Sequence, residues 1–186
     1  MKLTFKPLTE KTWDDFENLF GTRGACGGCW CMAWRLKSTD FEKQKGAENK
    51  KTMRDLVKRR EQIGIIGYIE KQPIGWCSVD PREKFIRLEN SRVLKKIDDE
   101  PVWSISCFFI SKEFRRKGLS TDLLKGVIAF CKKKKVKILE SYPTVPYSKE
   151  IPAAFAWTGI PTAFEKAGFV EAAKRSKSRP IMRYYI

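Results

Sequence analysis

The residues with the clearest chemical content lie in one stretch: Phe108-Phe109-Ile110-Ser111-Lys112-Glu113-Phe114-Arg115-Arg116-Lys117-Gly118-Leu119-Ser120-Thr121. An apolar run leads into three consecutive cations, Arg115, Arg116 and Lys117, then Gly118 and the start of an amphipathic pattern. That arrangement suits an anion. The first turn of a helix presents N–H groups without intrahelical partners and a partial positive charge. Gly118 lets a ligand come close to the backbone, and the Ser120 and Thr121 hydroxyls add donors. The chemistry implied is a cradle for phosphate groups. On the local pattern alone, a solvated basic loop reads the same way.

A second cluster is Cys26-Gly27-Gly28-Cys29-Trp30-Cys31. Cys-x-x-Cys is a half-site for tetrahedral zinc or an iron–sulfur cluster. Only three thiols lie together, however, and a structural zinc takes four ligands, so Cys77 or Cys107 would have to complete the set. The reading adopted is thiols packed in a loop, with no metal expected; a zinc-binding protein using Cys26, Cys29 and Cys31 is the alternative. The chain has no histidine. This excludes Ser-His-Asp and Cys-His nucleophilic catalysis, His-ligated metals and histidine proton shuttles.

The elements that must position these residues follow from periodicity. Residues 2–5 read as a short strand. Thr12 reads as a helix N-cap with Asp15 as a capping-box variant; Trp13, Phe16 and Phe20 recur at helical spacing, and Gly21 is the C-cap. Residues 35–60 carry ten basic and four acidic side chains and a narrow apolar stripe of Met53, Leu56 and Val57, which fits one or two solvated helices ending near Gln62. Residues 63–69 and 74–79 form a hairpin. A strand at 102–110, apolar on nearly every residue toward its end, is expected to be buried on both faces. An amphipathic helix at 118–131, a short strand at 136–139, a helix at 153–167 closed by Gly168, and strands at 169–172 and 181–185 complete the order. The fold class is α/β of the α+β type: a mixed, mostly antiparallel central sheet with a parallel βαβ unit at 102–139 and helices on both faces. No repeat or linker interrupts the 186 residues, so a single domain is expected.

Composition narrows the function. With 42% hydrophobic and 12% aromatic residues the chain can bury a sizeable core. Thirty-eight lysines and arginines against 22 acids give a formal charge of +16, which points to anionic partners. No apolar run approaches the roughly 20 residues that span a bilayer, and the N-terminus has no signal-like stretch. A cytoplasmic protein with free thiols and no membrane partner is expected. Lys132 to Lys135, with Lys137, reads as a solvated helix end complementing the helix dipole. A basic nucleic-acid-binding module is the rival from a different class, disfavoured because no zinc finger, basic zipper or RNA-recognition aromatic motif is apparent.

Arg115-x-x-Gly118-x-Ser120 after an apolar strand resembles the acetyl-CoA pyrophosphate loop of the GNAT superfamily of N-acetyltransferases, usually Arg/Gln-x-x-Gly-x-Gly/Ala. Phe164-Glu165-Lys166-Ala167-Gly168-Phe169 resembles that superfamily's last helix and following strand, commonly Tyr-x-x-x-Gly-Phe. The order of elements matches over essentially the whole chain. In detail the sequence is similar to a bacterial branch with a Cys-Trp-Cys-Met segment, a Glu-x-Tyr-Pro segment (Glu140 to Pro143) and a C-terminal Arg-Pro-Ile-Met-Arg (Arg179 to Arg183).

The resemblance implies an acetyl-CoA-dependent N-acetyltransferase acting on a primary amine of a small molecule or peptide by direct attack on the thioester. It implies that Phe108 and Ile110 offer backbone groups to the pantetheine arm. Arg115, Arg116, Lys117, Gly118, Ser120 and Thr121 would take the pyrophosphate, and an N–H near Ile110 would polarise the thioester carbonyl. A homodimer would be unsurprising for such a fold. Two positions depart from the family pattern. Ser120 replaces Gly or Ala. Phe164 stands where a tyrosine often protonates the leaving thiolate, so CoA either departs as the thiolate, its pKa being modest, or takes a proton from water, Tyr142 or Tyr147. With no histidine, a carboxylate is the expected general base, and Glu140, expected to end the strand that borders the gap, is the candidate. Trp30 and Trp34 are candidates for the acceptor side. The high positive charge disfavours a polycationic acceptor such as an aminoglycoside.

Overall fold

The computed structural model describes residues 3–61, 63–148 and 156–186. In chain order the elements are β1 (Leu3–Pro7), α1 (Trp13–Phe20), α2 (Ser38–Gln44), α3 (Ala47–Lys58), β2 (Gly64–Ile69), β3 (Gln72–Pro81), α4 (Ile86–Glu89), β4 (Val102–Ile110), α5 (Leu119–Lys133), β5 (Ile138–Ser141), α6 (Pro161–Lys166), β6 (Val170–Lys174) and β7 (Pro180–Tyr185). The seven strands form one sheet in the order β1-β2-β3-β4-β5-β7-β6. Every pairing is antiparallel except β4 with β5. The mixed sheet with one parallel unit is therefore as expected.

Both faces are covered. On one, Phe16 and Phe20 of α1, Met53 of α3 and Trp30 of the intervening loop pack on Trp76 of β3. Phe16 meets Trp76 edge-on at 4.8 Å between ring centroids. On the other, Leu123, Leu124 and Val127 of α5 and Phe164 of α6 pack on Ile65, Cys77, Val79 and Ile105. Alternation along β3 sends Trp76, Ser78 and Asp80 to the first face and Cys77 and Val79 to the second.

Three local expectations are corrected. The strand expected at 136–139 runs two residues later, because Lys134 and Lys135 still close the helix end and Val136 N–H returns to the Cys131 carbonyl. The helix expected at 153–167 begins at Pro161. Ile160 is extended (φ −120°, ψ 148°), the conformation that a following proline favours, and Pro161 then occupies the first helical position. Residues 153–155 lie outside the described residues, as do Lys2 and Gln62. Asp15 does not close a capping box on Thr12; its carboxylate accepts the Tyr68 hydroxyl at 2.7 Å, and Thr12 bonds back to Pro7 and Thr9. The charged segment 35–60 resolves into two helices, α2 and α3, with Gly46 between them at φ +89°.

Candidate active site

The β3–β4 ladder carries a bulge. Ser78 pairs with Cys107 but Val79 pairs with Ile105, so Ser106 is an extra residue on β4. The parallel β4–β5 ladder runs only from Val102 with Ile138 to Ile105 with Ser141. Beyond Ile105, β4 continues along β3 while β5 has ended, which opens a gap on one side of β4.

Ser111 N–H bonds to Ile74 on β3, so the antiparallel alternation turns the backbone groups of Phe108 and Ile110 toward that gap. Phe108 N–H is donated to the Trp157 carbonyl at 2.6 Å. The Ile110 carbonyl accepts Arg115 Nε at 2.8 Å. Phe108 and Ile110 thus face the side expected, but the Phe108 amide already has a protein partner.

At the open end of β4 lies the basic loop. Gly118, at φ +75°, is the N-cap of α5, a left-handed conformation for which glycine is suited, and a Cβ there would meet only open space. Arg115 is tied to Ile110 and lies over the Phe109 ring at 5.8 Å, which orients its guanidinium at the mouth of the gap. Arg116, at φ +61°, and Lys117 are exposed; Ser120 and Thr121 are half-buried in the first turn of α5. Ser111 Oγ is buried without a partner between strand and loop. An exposed helix N-terminus, adjacent cations and an orphaned hydroxyl are features that an anionic ligand would satisfy. The six loop residues named from the sequence therefore do come together.

Glu140 and Tyr142 come together as well, but as parts of a buried network rather than as free groups. Glu140 does not end its strand; it sits within β5, paired with Ser104 on one side and Arg183 on the other. Its Oε1 accepts Arg82 Nη1 at 2.9 Å and the Tyr142 hydroxyl at 2.6 Å, and its Oε2 accepts Arg183 Nε at 2.9 Å. The Tyr142 oxygen also accepts Arg82 Nη1 at 2.7 Å and meets Ser104 Oγ at 2.7 Å. Burial, with the Glu140 carboxylate beside it, pushes the Tyr142 phenol well above the usual tyrosine range. Arg183 forks onto Asp98 at 2.6 and 2.9 Å. Tyr147, the other tyrosine considered, is 75% exposed. Phe164 is buried against Phe108 and Phe169.

Next to this network, on the same face, lies a second buried ion pair: Arg35 Nη1 to Asp80 Oδ2 at 2.7 Å, both side chains 5% exposed. Burial raises the Asp80 carboxyl above its usual range, against the pull of Arg35. Sequence reasoning missed Arg35, Asp80, Arg82, Ser104 and Arg183 as site residues. The available signal was polar residues at alternate positions in otherwise apolar strands: Ser78, Asp80 and Arg82, and Ser104 with Ser106.

Trp30 is a core residue, stacked on Phe20 at 5.6 Å. Trp34 lies between Tyr142 (6.4 Å) and Trp157 (5.7 Å), with its indole N–H buried and unpartnered. Cys26 is exposed, Cys29 half-buried and Cys31 buried. Among the described residues no group of three or more His, Cys, Asp or Glu side chains is placed to hold a metal ion, and no helix is long and apolar enough to cross a membrane.

A sheet that parts after its parallel β4–β5 ladder, with a helix N-terminus and cations at the mouth of the gap, is an arrangement that suits an acyl-CoA-dependent transferase. The chain belongs to the acetyltransferase (GNAT) family, whose model matches residues 30–150. It is an acyl-CoA-dependent N-acetyltransferase, with acetyl-CoA as co-substrate. Among solved structures it is similar to the PaiA N-acetyltransferase of Thermoplasma acidophilum in complex with coenzyme A, at 14% identity and a TM-score of 0.55 with both chains covered completely. It is similar to the NatC complex bound to Gag peptide and CoA, at 12% identity and a TM-score of 0.56, covering 100% of this chain and 99% of that one. It is similar also to AAC(6')-Ib in complex with ribostamycin and coenzyme A, at 16% identity and a TM-score of 0.54, covering 100% and 94%. No curated protein matches the chain.

Proposed function

We propose that the protein transfers acetyl from acetyl-CoA to a primary amine of a small molecule or peptide, with the coenzyme's phosphates at Arg115 to Thr121 and its arm entering the β4–β5 gap. The observation that carries this reading is the position of the α5 N-terminus and its cations at the mouth of that gap. Acetyl-CoA brings the acetyl group already activated as a thioester. The chain's own residues bind, orient and manage protons. The N–H of Ile110, turned to the gap by the ladder, is the donor for the carbonyl oxygen. The Phe108 amide takes the same role for the arm only by exchanging the Trp157 carbonyl for it.

Tyr142 keeps its proton at neutral pH, which is the form a proton donor needs. Glu140 is a positioning residue: both its oxygens are engaged by guanidinium groups, so taking a proton from an amine would cost it an ion pair. A peptide and an aminoglycoside occur with two of the similar structures, and both carry amines. The +16 charge favours the less cationic of these classes. A soluble, cytoplasmic protein, alone or as a homodimer, fits this reading.

Calorimetry with acetyl-CoA near physiological salt, with ATP as a polyanion control, tests it. Tight binding that ATP cannot imitate, lost in Arg115→Ala and Gly118→Asp, is the expected result. Equally weak binding of both ligands would overturn the reading and bring the basic nucleic-acid-binding alternative forward.

A further inference from the structure

We propose that the acceptor is a small amine that carries a carboxylate, and that Arg179 and the Trp34 indole N–H bind that carboxylate beside the gap. This deepens the reading above and rests on it, since the acetyl group comes from acetyl-CoA in the β4–β5 gap.

Three segments far apart in the chain meet here. Trp34 belongs to the loop between α1 and α2, Tyr142 and Trp157 to the connection between β5 and α6, and Arg179 to the turn between β6 and β7. The Trp34 ring lies 5.7 Å from the Trp157 ring and 6.4 Å from the Tyr142 ring. The Arg179 guanidinium carbon lies over the Trp34 ring, 5.8 Å from its centroid. Backbone bonds hold the segments. The Trp34 carbonyl accepts Arg87 N–H at 3.1 Å; Thr144 N–H is donated to Gly159 and Val145 N–H to Ser178, each at 2.9 Å. The cluster adjoins the gap, because the Trp157 carbonyl is the group that holds the Phe108 amide, and Tyr142 follows directly on the end of β5.

The charges in this region point to a missing partner. Arg35 is paired with Asp80, Arg82 with Glu140 and Glu89, and Arg183 with Glu140 and Asp98. Arg179 is half-buried too, yet among the described residues no carboxylate pairs with it. Its Nη1 is donated to the Tyr142 carbonyl at 3.1 Å and to Thr158 Oγ1 at 3.4 Å. Both acceptors are neutral, so they fix the side chain and leave its charge uncompensated. Burial without an opposing carboxylate holds this guanidinium below the usual arginine range. A cation taken from water in this way is stabilised by a counter-ion.

A second donor beside it is also open. Trp34 Nε1 is buried with no acceptor, and buried indole N–H groups nearly always find one. One planar group with two oxygens answers both features: an oxygen accepts the indole N–H, and its negative charge compensates Arg179. A carboxylate carries the single charge that matches the single unpaired cation, whereas a phosphate carries about −1.5 to −2. A polycationic acceptor would meet Arg179 as a like charge. The amine of a carboxylate-bearing acceptor is thereby anchored at one end and left free to reach the thioester at the other.

The test offers the common amino acids, cysteine omitted for its thiol, and their decarboxylated amines as acceptors with saturating acetyl-CoA. Free CoA thiol and the mass of the product are followed. Acetyl-CoA binding by calorimetry and far-UV circular dichroism are recorded for every variant. The expected result is an amino acid acetylated with kcat/KM about tenfold or more above that of its decarboxylated amine. Arg179→Gln should abolish this preference by raising KM for the amino acid about 10- to 100-fold, with kcat much less affected. Trp34→Phe keeps the ring and loses the N–H, and should raise the same KM about threefold to tenfold. Arg179→Lys should keep part of the preference. All three should bind acetyl-CoA within about twofold of the wild type. If Arg179→Gln does not fold, Trp34→Phe and Arg179→Lys decide. Wild-type protein that binds acetyl-CoA but prefers the decarboxylated amines, or acetylates no carboxylate-bearing amine, overturns the inference and leaves the transferase reading standing. A preference unchanged in the folded variants also overturns it. Wild-type protein that does not bind acetyl-CoA overturns both.

Discussion

Glu140 and Arg183 face each other across the β5–β7 ladder as directly opposed residues, with Oε2 and Nε 2.9 Å apart and both side chains at most 4% exposed. The pair is closed from the other side by Arg82, and Arg183 reaches past it to Asp98 near the surface. A carboxylate at the midpoint of such a chain fixes strand register and holds the Tyr142 hydroxyl. It is not positioned as a free proton acceptor.

Glu140→Gln should therefore act on stability first. Removing the carboxylate takes one buried ion-pair partner from each of two guanidinium groups, which keep Asp98 and Glu89 nearer the surface, at a cost of about 3–5 kcal/mol. Thermal unfolding should show a clear drop in Tm, and the pH profile of kcat for the folded fraction should keep its shape. A profile that loses its acidic limb would return Glu140 to the role of general base.

Alkaline titration of the phenols should separate the five tyrosines. Burial raises Tyr142 and Tyr68, the first assisted by Glu140 and the second by Asp15, while Tyr147 is open to solvent. Because the folded values lie above the unfolded one, these two protons contribute stability that is fully present below the ordinary tyrosine range. That stability is lost as the pH rises through the higher folded values. Phenolate absorbance should thus rise in two stages, the second coinciding with unfolding, and Tyr142→Phe should reduce the second stage. A single early transition for every tyrosine would contradict the buried network.

Arg115 braces the Ile110 carbonyl through Nε at 2.8 Å, and under the proposed function its remaining donors meet a phosphate. Loss of a charge-assisted contact of about 1.5–3 kcal/mol converts to roughly 10- to 100-fold weaker acetyl-CoA binding for Arg115→Ala. Arg115→Lys should recover only part of this, since a lysine cannot both hold Ile110 and fork onto a phosphate. Equal affinities for the wild type and both variants would remove Arg115 from the cradle. Raising the salt should weaken binding to the wild type more than to Arg115→Ala.

The sheet class, the parallel unit and the basic turn before α5 were legible in the sequence because each is a local pattern. That turn spans a contiguous strand end, cations, Gly118 and helix start, and its geometry follows from the helix end whatever surrounds it. The boundaries of α6 and β5 were less legible, since a proline at 161 and a lysine turn at 134–135 decide them against the apolar periodicity.

What the sequence by itself determined is the family, the layered fold and the basic loop that leads into α5. What only the tertiary structure decided is the fate of the polar residues. Arg82 and Glu140 are 58 residues apart, Glu140 and Arg183 are 43 apart, and Cys31 and Trp76 are 45 apart. No propensity or spacing links such positions. Strand order and register do, by placing β5 between β4 and β7 and the 24–34 loop over β3. Those contacts turned the expected base into the centre of an ion-pair network, and a loop cysteine into a buried sulfur that accepts the Trp76 indole N–H.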